Sequence, residues 1–323
     1  MLNNDLNTII SNSLIVNKEL LTDKIKDIIN QFKIVLNNNK NLIEETNKID
    51  KKNNNGFILD FNIINNIFSN IEEENIYYRD VTLSKKDDDK IYGKELFDIG
   101  NVVIINDGNP YVIIEMIIKN IKAGNTIIFS NNGYMYGTNM LIITLFQSVL
   151  EQFNISKYFV QMYITDNYDI LERFANIDLV VCIGDHNLQQ LVLKKSKNKT
   201  IVSGYENFDL YIEDITHIEF INKILNLGLN IQIFIKSDID INIENSIKIN
   251  DVDEAIAMIN YNGNRYSSSI FTNNKDNASK FIKEVKSNIV TVNTSPTIER
   301  IIDIKQLDLM KEKIIIYPNI RNI

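Results

Sequence analysis

The chain has 323 residues, of which 44% are hydrophobic, and this is enough for one large or two medium domains with a sizeable core. A formal net charge of -8 argues against nucleic acid as the main partner. No apolar run approaches the ~20 residues of a membrane span, and the first residues lack the pattern of a signal peptide. We therefore expect a cytoplasmic protein that has no membrane contact.

Cysteine and histidine are scarce. One cysteine excludes an internal disulfide and a zinc site built from thiolates, and the two histidines, His186 and His217, leave little for metal chemistry. The single thiol, Cys182, is either a nucleophile at a strand end, activated by a base such as His186, or a small apolar residue inside the run 179–183. We favour the apolar interpretation, because that run reads as a buried strand.

Residues 1–75 predict amphipathic helices, which we expect to form a layer that covers a sheet. Their apolar residues recur at helical spacing in two runs, Leu20, Leu21, Ile25, Ile28, Ile29 and Phe32, and then Phe61, Ile63, Ile64, Ile67 and Phe68. Residues 76–97 differ, because two alternating stretches flank a charged turn. This alternation predicts a β-hairpin.

A complete βαβ unit is predicted at residues 101–132. Two apolar runs typical of buried strands, 102–105 and 126–129, flank a segment with apolar residues at helical spacing. Pro110 suits the first turn of that helix, and Gly124 suits its end. Because parallel strands need a crossover of this kind, the two strands should be parallel, with a right-handed connection.

Strands and helices continue to alternate beyond this unit. The pattern predicts helices at 138–153, 169–175 and 187–193, and strands at 159–164, 178–183 and 200–203. Such alternation is typical of a doubly wound parallel α/β sheet, in which ligands bind at the carboxyl ends of the strands. Those ends lie at residues 106–110, 130–133, 182–185 and 203–207. No GxGxxG or Walker loop is present.

Four acidic residues follow the last of these strands, namely Glu206, Asp209, Glu213 and Asp214. Their spacing matches no metal-binding loop. We therefore interpret them as a solvated strand edge and not as a metal site.

Several short segments form a collinear series. Asn109-Pro110-Tyr111 leads without a gap to Lys122-Ala-Gly124-Asn125, and further segments follow at residues 178–185, 204–213, 251–263 and 290–295. In order and spacing they resemble the aldehyde dehydrogenase superfamily and, within it, γ-glutamyl phosphate reductase (glutamate-5-semialdehyde dehydrogenase), the reducing step of proline synthesis. In that family the first two turns read Arg-Pro-Asn and Lys-x-Gly-Asn. The resemblance covers the chain from about residue 20 onward.

The departures from that family concern its catalytic half. The reaction needs a cysteine thiolate that attacks the carbonyl carbon, and the family places it directly before an asparagine. In the matching region of this chain, Leu229 precedes Asn230. In addition, only residues 236–249 separate Phe234 from the segment that starts at Asp251, where the family has a longer αβ stretch. We therefore expect a shortened second α/β lobe and no catalytic residue.

The resemblance also implies an NADP site. Its positions in this chain are Pro110, Ser130, Asn131, Gly184, Asp185 and Gly204. The two Arg-Gly-Gly turns of the family correspond to residues 130–132 and 183–185, so both arginines are missing. The Asp185 carboxylate would repel a phosphate at short range. We therefore expect NADP binding to be weak or lost.

The resemblance divides the chain into five segments. These are an N-terminal helical layer at 1–75, a hairpin at 76–97, a Rossmann-like cofactor domain at 98–213, a reduced catalytic-type α/β lobe at 214–288 and C-terminal return strands at 289–323. In the superfamily a protruding hairpin and the final strand pair between subunits, and here the matching residues are 76–97 and 313–317. This implies a homo-dimer or a complex with an intact paralogue.

Two functions from different classes follow. The first is a degenerate, non-catalytic homologue of the reductase that is retained for a structural or partner-binding role. The second is an active NADP-dependent aldehyde or acyl-phosphate oxidoreductase with an altered active site. A third possibility, a small-molecule sensor that uses the former cleft, stays open at this point.

Overall fold

The computed structural model describes residues 5–16, 18–54, 59–87, 90–131, 133–165, 167–184, 186–204, 208–225, 231–262, 267–287, 289–295 and 304–318. The chain divides into two compact units, the first formed by Met1–Gly204 with Ile302–Ile323 and the second by Tyr205–Ile301. In sequence, the second unit is therefore an insertion into the first. No helix within the described ranges is long and apolar enough to cross a bilayer.

Both units alternate strands and helices. The first unit contains, in chain order, α1 (Leu6–Leu14), α2 (Ile25–Asn38), α3 (Lys40–Asn54), α4 (Phe61–Glu73), β1 (Val81–Asp87), β2 (Lys90–Asp98), β3 (Asn101–Asn106), α5 (Pro110–Ala123), β4 (Thr126–Asn131), α6 (Tyr136–Gln152), β5 (Val160–Ile164), β6 (Leu179–Gly184), α7 (His186–Lys195) and β7 (Thr200–Gly204). The second contains β8 (Phe208–Ile212), α8 (Ile218–Leu225), β9 (Ile231–Lys236), β10 (Ile247–Ile249), α9 (Val252–Asn262), β11 (Ser267–Phe271), α10 (Lys275–Glu284) and β12 (Ile289–Val292). The chain then returns to the first unit with β13 (Met310–Pro318).

The predicted βαβ unit is confirmed. β3 and β4 are parallel neighbours, and α5 connects them. The Asn109 side chain caps this helix by accepting a hydrogen bond from Tyr111 N (3.0 Å), Pro110 is its first residue, and Gly124 ends it with a φ of 75°. Every residue of α5 is buried, including the polar ones. This helix therefore lies inside the unit and not on its surface.

The first sheet is the doubly wound sheet that the alternation predicts. Its five strands are parallel and lie in the order β5-β4-β3-β6-β7, so the central strand β3 is covered on both sides. One predicted helix, at 169–175, is wrong: Asp169–Glu172 and Phe174–Asn176 are two short 3-10 turns. The Tyr163 hydroxyl fixes the first turn, because it donates to the Asp169 carboxylate (3.0 Å).

The N-terminal helices form a second helical layer. The prediction that they cover a sheet is wrong for α2, α3 and α4, which contact α5 and α6 instead. Phe32 of α2 illustrates this, because its ring lies 4.8 Å from the ring of Phe146 on α6 and 5.8 Å from that of Phe68 on α4. α1, in contrast, contacts β4 and β5 directly, and Gln161 Nε2 of β5 donates to Ile9 O (2.9 Å). The apolar pattern of α2 to α4 is that of any buried helix face, so it did not reveal which layer they contact.

The predicted hairpin is confirmed and has a third strand. β1 and β2 are antiparallel, and β13 pairs antiparallel with β2 over the whole range from Met310 opposite Asp98 to Pro318 opposite Lys90. The order of this sheet is β1-β2-β13. Large apolar side chains are exposed on both of its faces, namely Val81, Leu83, Ile314, Ile316 and Tyr317.

The second unit contains its own five-stranded parallel sheet, in the order β10-β9-β8-β11-β12. Two apolar clusters cover the two faces of this sheet. One, around Tyr211, includes α9 and α10, and the other, around Leu210, includes α8. The side chains of β8 alternate between these clusters, as expected for a buried strand.

The observed units differ from the predicted segments. The first part of the first unit ends at Gly204 and not at residue 213, because β8 is the central strand of the second sheet. Likewise β12, predicted as a return strand, pairs with β11 in the second sheet. A buried parallel strand looks alike in either sheet, so apolar runs at 208–212 and 289–292 did not indicate which sheet they join.

Candidate functional site

The candidate site is the carboxyl edge of the first sheet. β4 and β5 extend to one side of β3 and β6 and β7 to the other, so the strand order reverses between β3 and β6. Doubly wound sheets bind ligands at such a reversal. The predicted cofactor-binding residues Ser130, Asn131, Gly184 and Gly204 lie at the carboxyl ends of β4, β6 and β7, and Pro110 is the first residue of α5. Asp185 lies outside the described residues.

The turn between β3 and α5 is tightly held. The Asp107 carboxylate accepts a hydrogen bond from Asn109 N (3.2 Å), and Asn109 caps α5. Gly108 has a φ of 95°, and a Cβ at this position would lie 2.4 Å from Tyr134 O, in the loop that follows β4. Asn139 of α6 donates through Nδ2 to Gly108 O (2.7 Å). The loops after β3 and β4 are therefore packed as one piece, and only glycine fits at position 108.

A carboxylate of the protein occupies the N-terminus of α6. Asp50 of α3 accepts hydrogen bonds through one oxygen from Thr138 N and Thr138 Oγ1, both at 2.6 Å. Its other oxygen lies 3.1 Å from the place that a Cβ on Gly137 would take. Helix N-termini attract anions, and phosphates in particular. Here that role belongs to an internal anion.

Three buried oxygen atoms at this edge have no hydrogen-bond partner within the described part of the chain, namely Asn106 Oδ1, Ser130 Oγ and Asn139 Oδ1. Two of them are amide oxygens, which can only accept a hydrogen bond. Buried polar atoms are rarely left without a partner in native proteins. Among the described residues, the first sheet therefore has unsatisfied acceptors at the edge where a ligand is expected.

The residues present do not fit the diphosphate of NADP. The connections after the five strands contain no lysine or arginine, at 106–110, 131–136, 164–169, 184–187 and 203–207. The Asp50 carboxylate already occupies the N-terminus of α6, and the unsatisfied atoms nearby are mainly acceptors. A phosphate oxygen placed there would meet acceptors and negative charge in place of donors.

Tyr111 stands where the family's Arg-Pro-Asn turn has its asparagine. Its side chain is buried, and its hydroxyl accepts a hydrogen bond from the backbone N of Asp60 (2.6 Å), the residue that caps α4. Burial raises the pKa of Tyr111 to about 12. This side chain therefore fastens α4 to the start of α5, a role that sequence reasoning missed because the contact spans 51 positions in the chain.

Cys182 is fully buried, as the favoured interpretation predicts. It lies in an apolar cluster with Val103, Ile105, Val180 and Val192, away from solvent. A thiol in apolar surroundings is a poor nucleophile, because the thiolate is disfavoured there. His186 begins α7, while Leu229 and Asn230 lie outside the described residues.

The interpretation of the acidic residues as one solvated edge is wrong. Glu206 lies outside the described residues. Asp209 is buried near the start of β8, whereas Glu213 and Asp214 follow its end, on the opposite edge of the second sheet. The strand that carries them is central, which its sequence did not show. In the part of the chain that the structure describes, no group of three or more His, Cys, Asp or Glu side chains could hold a metal ion.

Two matched segments converge at the carboxyl edge of the second sheet. Glu213 accepts hydrogen bonds from Thr272 Oγ1 and from Asn277 Nδ2. Asn293, with a φ of 54°, accepts from Thr272 N and donates to Thr272 O, both at 2.9 Å. The segments at 204–213 and 290–295, which carry part of the resemblance, therefore meet at Thr272, the residue that follows β11.

The residues that match the family's Lys-x-Gly-Asn turn, Lys122 to Asn125, have structural roles in this chain. Lys122 is buried and donates to the carbonyl oxygens of Ile71 (2.6 Å) and Glu74 at the end of α4. Burial lowers its pKa to about 8. Asn125 accepts from Ile99 N (2.8 Å) and donates to Leu309 O (2.9 Å). These residues hold the amino edge of the first sheet to neighbouring elements of the same unit.

Comparison with known proteins agrees with this architecture. No protein-family model matches the chain. A γ-glutamyl phosphate reductase of Clostridium botulinum (strain Alaska E43 / Type E3) is 21% identical over 272 residues, covering 67% of this chain and 66% of that protein. The chain thus spans 66% of the length of this curated relative.

Two solved structures show the same fold. The γ-glutamyl phosphate reductase of Thermotoga maritima has a TM-score of 0.64 at 17% identity, covering 98% of this chain and 99% of that one. The glyceraldehyde-3-phosphate dehydrogenase GapN of Methanocaldococcus jannaschii, complexed with NADP, has a TM-score of 0.72 at 12% identity, covering 96% and 93%.

The order of the strands and these matches define the class. The chain has the fold of the aldehyde dehydrogenase superfamily. The curated proteins that it matches in sequence include γ-glutamyl phosphate reductases, and the resemblance drawn from the collinear segments is thereby confirmed.

Proposed function

We propose that this chain is a cytoplasmic, non-catalytic homologue of γ-glutamyl phosphate reductase, retained for a structural or partner-binding role. One observation carries the proposal: the carboxyl edge of the first sheet holds an internal carboxylate, that of Asp50, where a phosphate would need a helix N-terminus. The burial of Cys182 and the leucine at position 229 support it. With these residues, neither NADP binding nor thiolate attack on an acyl group has the groups it needs.

The partner is a second copy of the chain or an intact paralogue. The sheet formed by β1, β2 and β13 supports this part of the proposal, because it exposes large apolar side chains on both faces. Exposed apolar patches of this kind are typical of protein–protein contacts. β1 is also an edge strand with unpaired backbone groups, which can extend a sheet across an interface.

The second candidate is an active NADP-dependent oxidoreductase that acts on an aldehyde or an acyl phosphate. The names of its relatives and the NADP complex of a structural neighbour favour it. It requires a nucleophile other than the residue at 229, and Cys182 is the only thiol in the chain.

Calorimetry decides between the two candidates. NADPH and NADH are titrated into protein whose mass in solution has been measured by light scattering. We expect no binding at millimolar nucleotide. Micromolar binding would refute the loss of the cofactor site, and an activity assay would follow. Activity that the Cys182→Ser variant abolishes would establish the second candidate.

Light scattering also tests the partner surface. We expect a dimer whose mass falls to that of one chain when Ile314 and Ile316 are both replaced by lysine. Leu42→Lys with Ile49→Lys is the matched control, because these side chains are equally exposed but lie on α3. A monomeric native protein would leave the paralogue as the partner, and pull-down with an intact γ-glutamyl phosphate reductase would then decide.

A further inference from the structure

A carboxylate lies buried in the central strand of the second sheet. Asp209 is the second residue of β8 and is 1% exposed. Its neighbours in register are Ser268 on β11 and Gln232 on β9, both uncharged. Removing an ionised carboxylate from water is unfavourable unless a cation or several donors replace the solvent. Within the described residues, the one hydrogen bond that this carboxylate accepts comes from Ser268.

A chain of hydroxyls connects this carboxylate to the surface of the unit. Ser268 Oγ donates to Asp209 Oδ2 (3.1 Å). Ser268 Oγ also lies 2.6 Å from Ser287 Oγ, and Ser287 follows α10 and is partly exposed. Because Ser268 uses its proton towards Asp209, its oxygen accepts from Ser287. The three side chains therefore form one continuous hydrogen-bond chain.

Among the residues that the structure describes on the elements packed against it, Asp209 has no buried compensating charge. Strand alternation places it on the same face as Tyr211, which α9 and α10 cover with apolar side chains such as Ile256 and Phe281. Tyr211 is the other titratable group of β8 on that face. The charged residues of β9, α9 and α10 are all at least partly exposed, namely Lys236, Asp253, Glu254, Lys275, Asp276, Lys280, Lys283 and Glu284.

We propose that Asp209, Ser268 and Ser287 form a proton-responsive switch that makes the pairing of β8 with β11 stronger at mildly acidic pH than at alkaline pH. An ionised Asp209 can only accept hydrogen bonds, so both hydroxyls point towards a buried charge. A protonated Asp209 is neutral and can donate to Ser268, whose own proton then turns to Ser287. Protonation thus removes the buried charge while all hydrogen bonds between the three side chains are kept.

The direction of the pH effect follows from burial. Burial raises the pKa of Asp209 from 3.8 to about 6, and the hydrogen bond from Ser268 opposes that rise. A carboxyl whose pKa is higher in the folded state lowers stability when it is ionised. The penalty is therefore fully present above pH ~6 and disappears as the pH falls from ~6 towards 3.8.

Hydrogen exchange of the full chain, followed by mass spectrometry on peptides from β8 and β11, tests this proposal. At pH 8 we expect these peptides to exchange at least tenfold more slowly in Asp209→Asn than in the wild type, and we expect the difference to shrink towards pH 4.5. Asp240→Asn, an exposed aspartate of the same unit, is the matched control and should behave as the wild type. Peptides from β3 and β4 should not change.

The Ser268→Ala variant gives a second readout. Because it removes a donor to the ionised carboxylate, the pH at which protection of β8 and β11 changes should move upward. Exchange in Asp209→Asn that is as fast as in the wild type at pH 8 would overturn the proposal. If that variant does not fold, an unmoved midpoint in Ser268→Ala overturns it instead.

Discussion

The two parallel sheets share one topology, but their carboxyl edges differ in the hydrogen bonding of their polar side chains. In each, the first strand is central, the next two extend to one side and the last two to the other. The edge of the first sheet leaves buried oxygens of Asn106, Ser130 and Asn139 without a partner among the described residues. The edge of the second sheet joins Glu213 and Thr272 to neighbouring side chains across the strands.

The difference is the one expected between an edge that binds a ligand and an edge that is purely structural. A structural edge satisfies its polar groups internally, because each unpaired buried group destabilises the fold. A ligand-facing edge leaves groups open for the ligand. Among the described residues the first edge has such open groups, while Asp50 accepts hydrogen bonds at the N-terminus of α6 and the connecting loops contain no basic residue.

The largest expected effect lies at the first edge. Gly108→Ala should lower the free energy of unfolding by about 3 kcal/mol or more, because the new Cβ meets Tyr134 O at 2.4 Å and φ is 95°. Urea unfolding measures it. Gly133→Ala is the matched control, since its φ is 85° but the nearest atom to its Cβ is 3.5 Å away. If both variants lose the same free energy of unfolding, the loop that contains Tyr134 can move to accommodate the new Cβ.

At the second edge we expect a smaller loss. Asn293→Ala should lower the free energy of unfolding by about 2 kcal/mol, because it removes two hydrogen bonds to Thr272 and places alanine at a φ of 54°. Asn154→Ala, in the first unit, has a φ of 57° and isolates the backbone contribution. If the two variants lose equal stability in thermal unfolding, the cross-strand network contributes little.

The smallest effects compare one tyrosine from each unit. The buried hydroxyl of Tyr211 has no partner within the described ranges, so Tyr211→Phe should stabilise by up to about 1 kcal/mol. The hydroxyl of Tyr111 accepts from Asp60 N, so Tyr111→Phe should destabilise by about 1 kcal/mol. The denaturant midpoints of both variants, compared with the wild type, show whether each substitution stabilises or destabilises. Changes in the same direction would contradict the expected difference between the two tyrosines.

The sequence predicts much of the first unit because its signals are local. The apolar run 102–105, the N-terminal Pro110 and the terminal Gly124 each act within a few residues, and the structure follows all three. The bounds of the second unit were harder to predict from the sequence, because they depend on which sheet β8 joins. That choice is set by contacts with β9 and β11, which lie farther along the chain.

At the candidate site, too, the sequence predicted the features that depend on local residues but missed those that depend on distant contacts. Local spacing placed Ser130, Asn131 and Gly184 at strand ends, where the structure has them. It could not show that Asp50 reaches Thr138, a contact across 88 positions, or that Asp209 is buried. Charge and burial at a site depend on which distant segments meet there, so a pattern of neighbours cannot report them.

The position of β13 has a consequence for synthesis on the ribosome. This strand pairs along β2 yet is made only after the whole of the inserted unit. Domains generally fold as they emerge, starting from the N-terminal side. The edge of β2 that pairs with β13 therefore stays unpaired while the second unit is translated. The inserted second unit can finish folding before the first unit is complete.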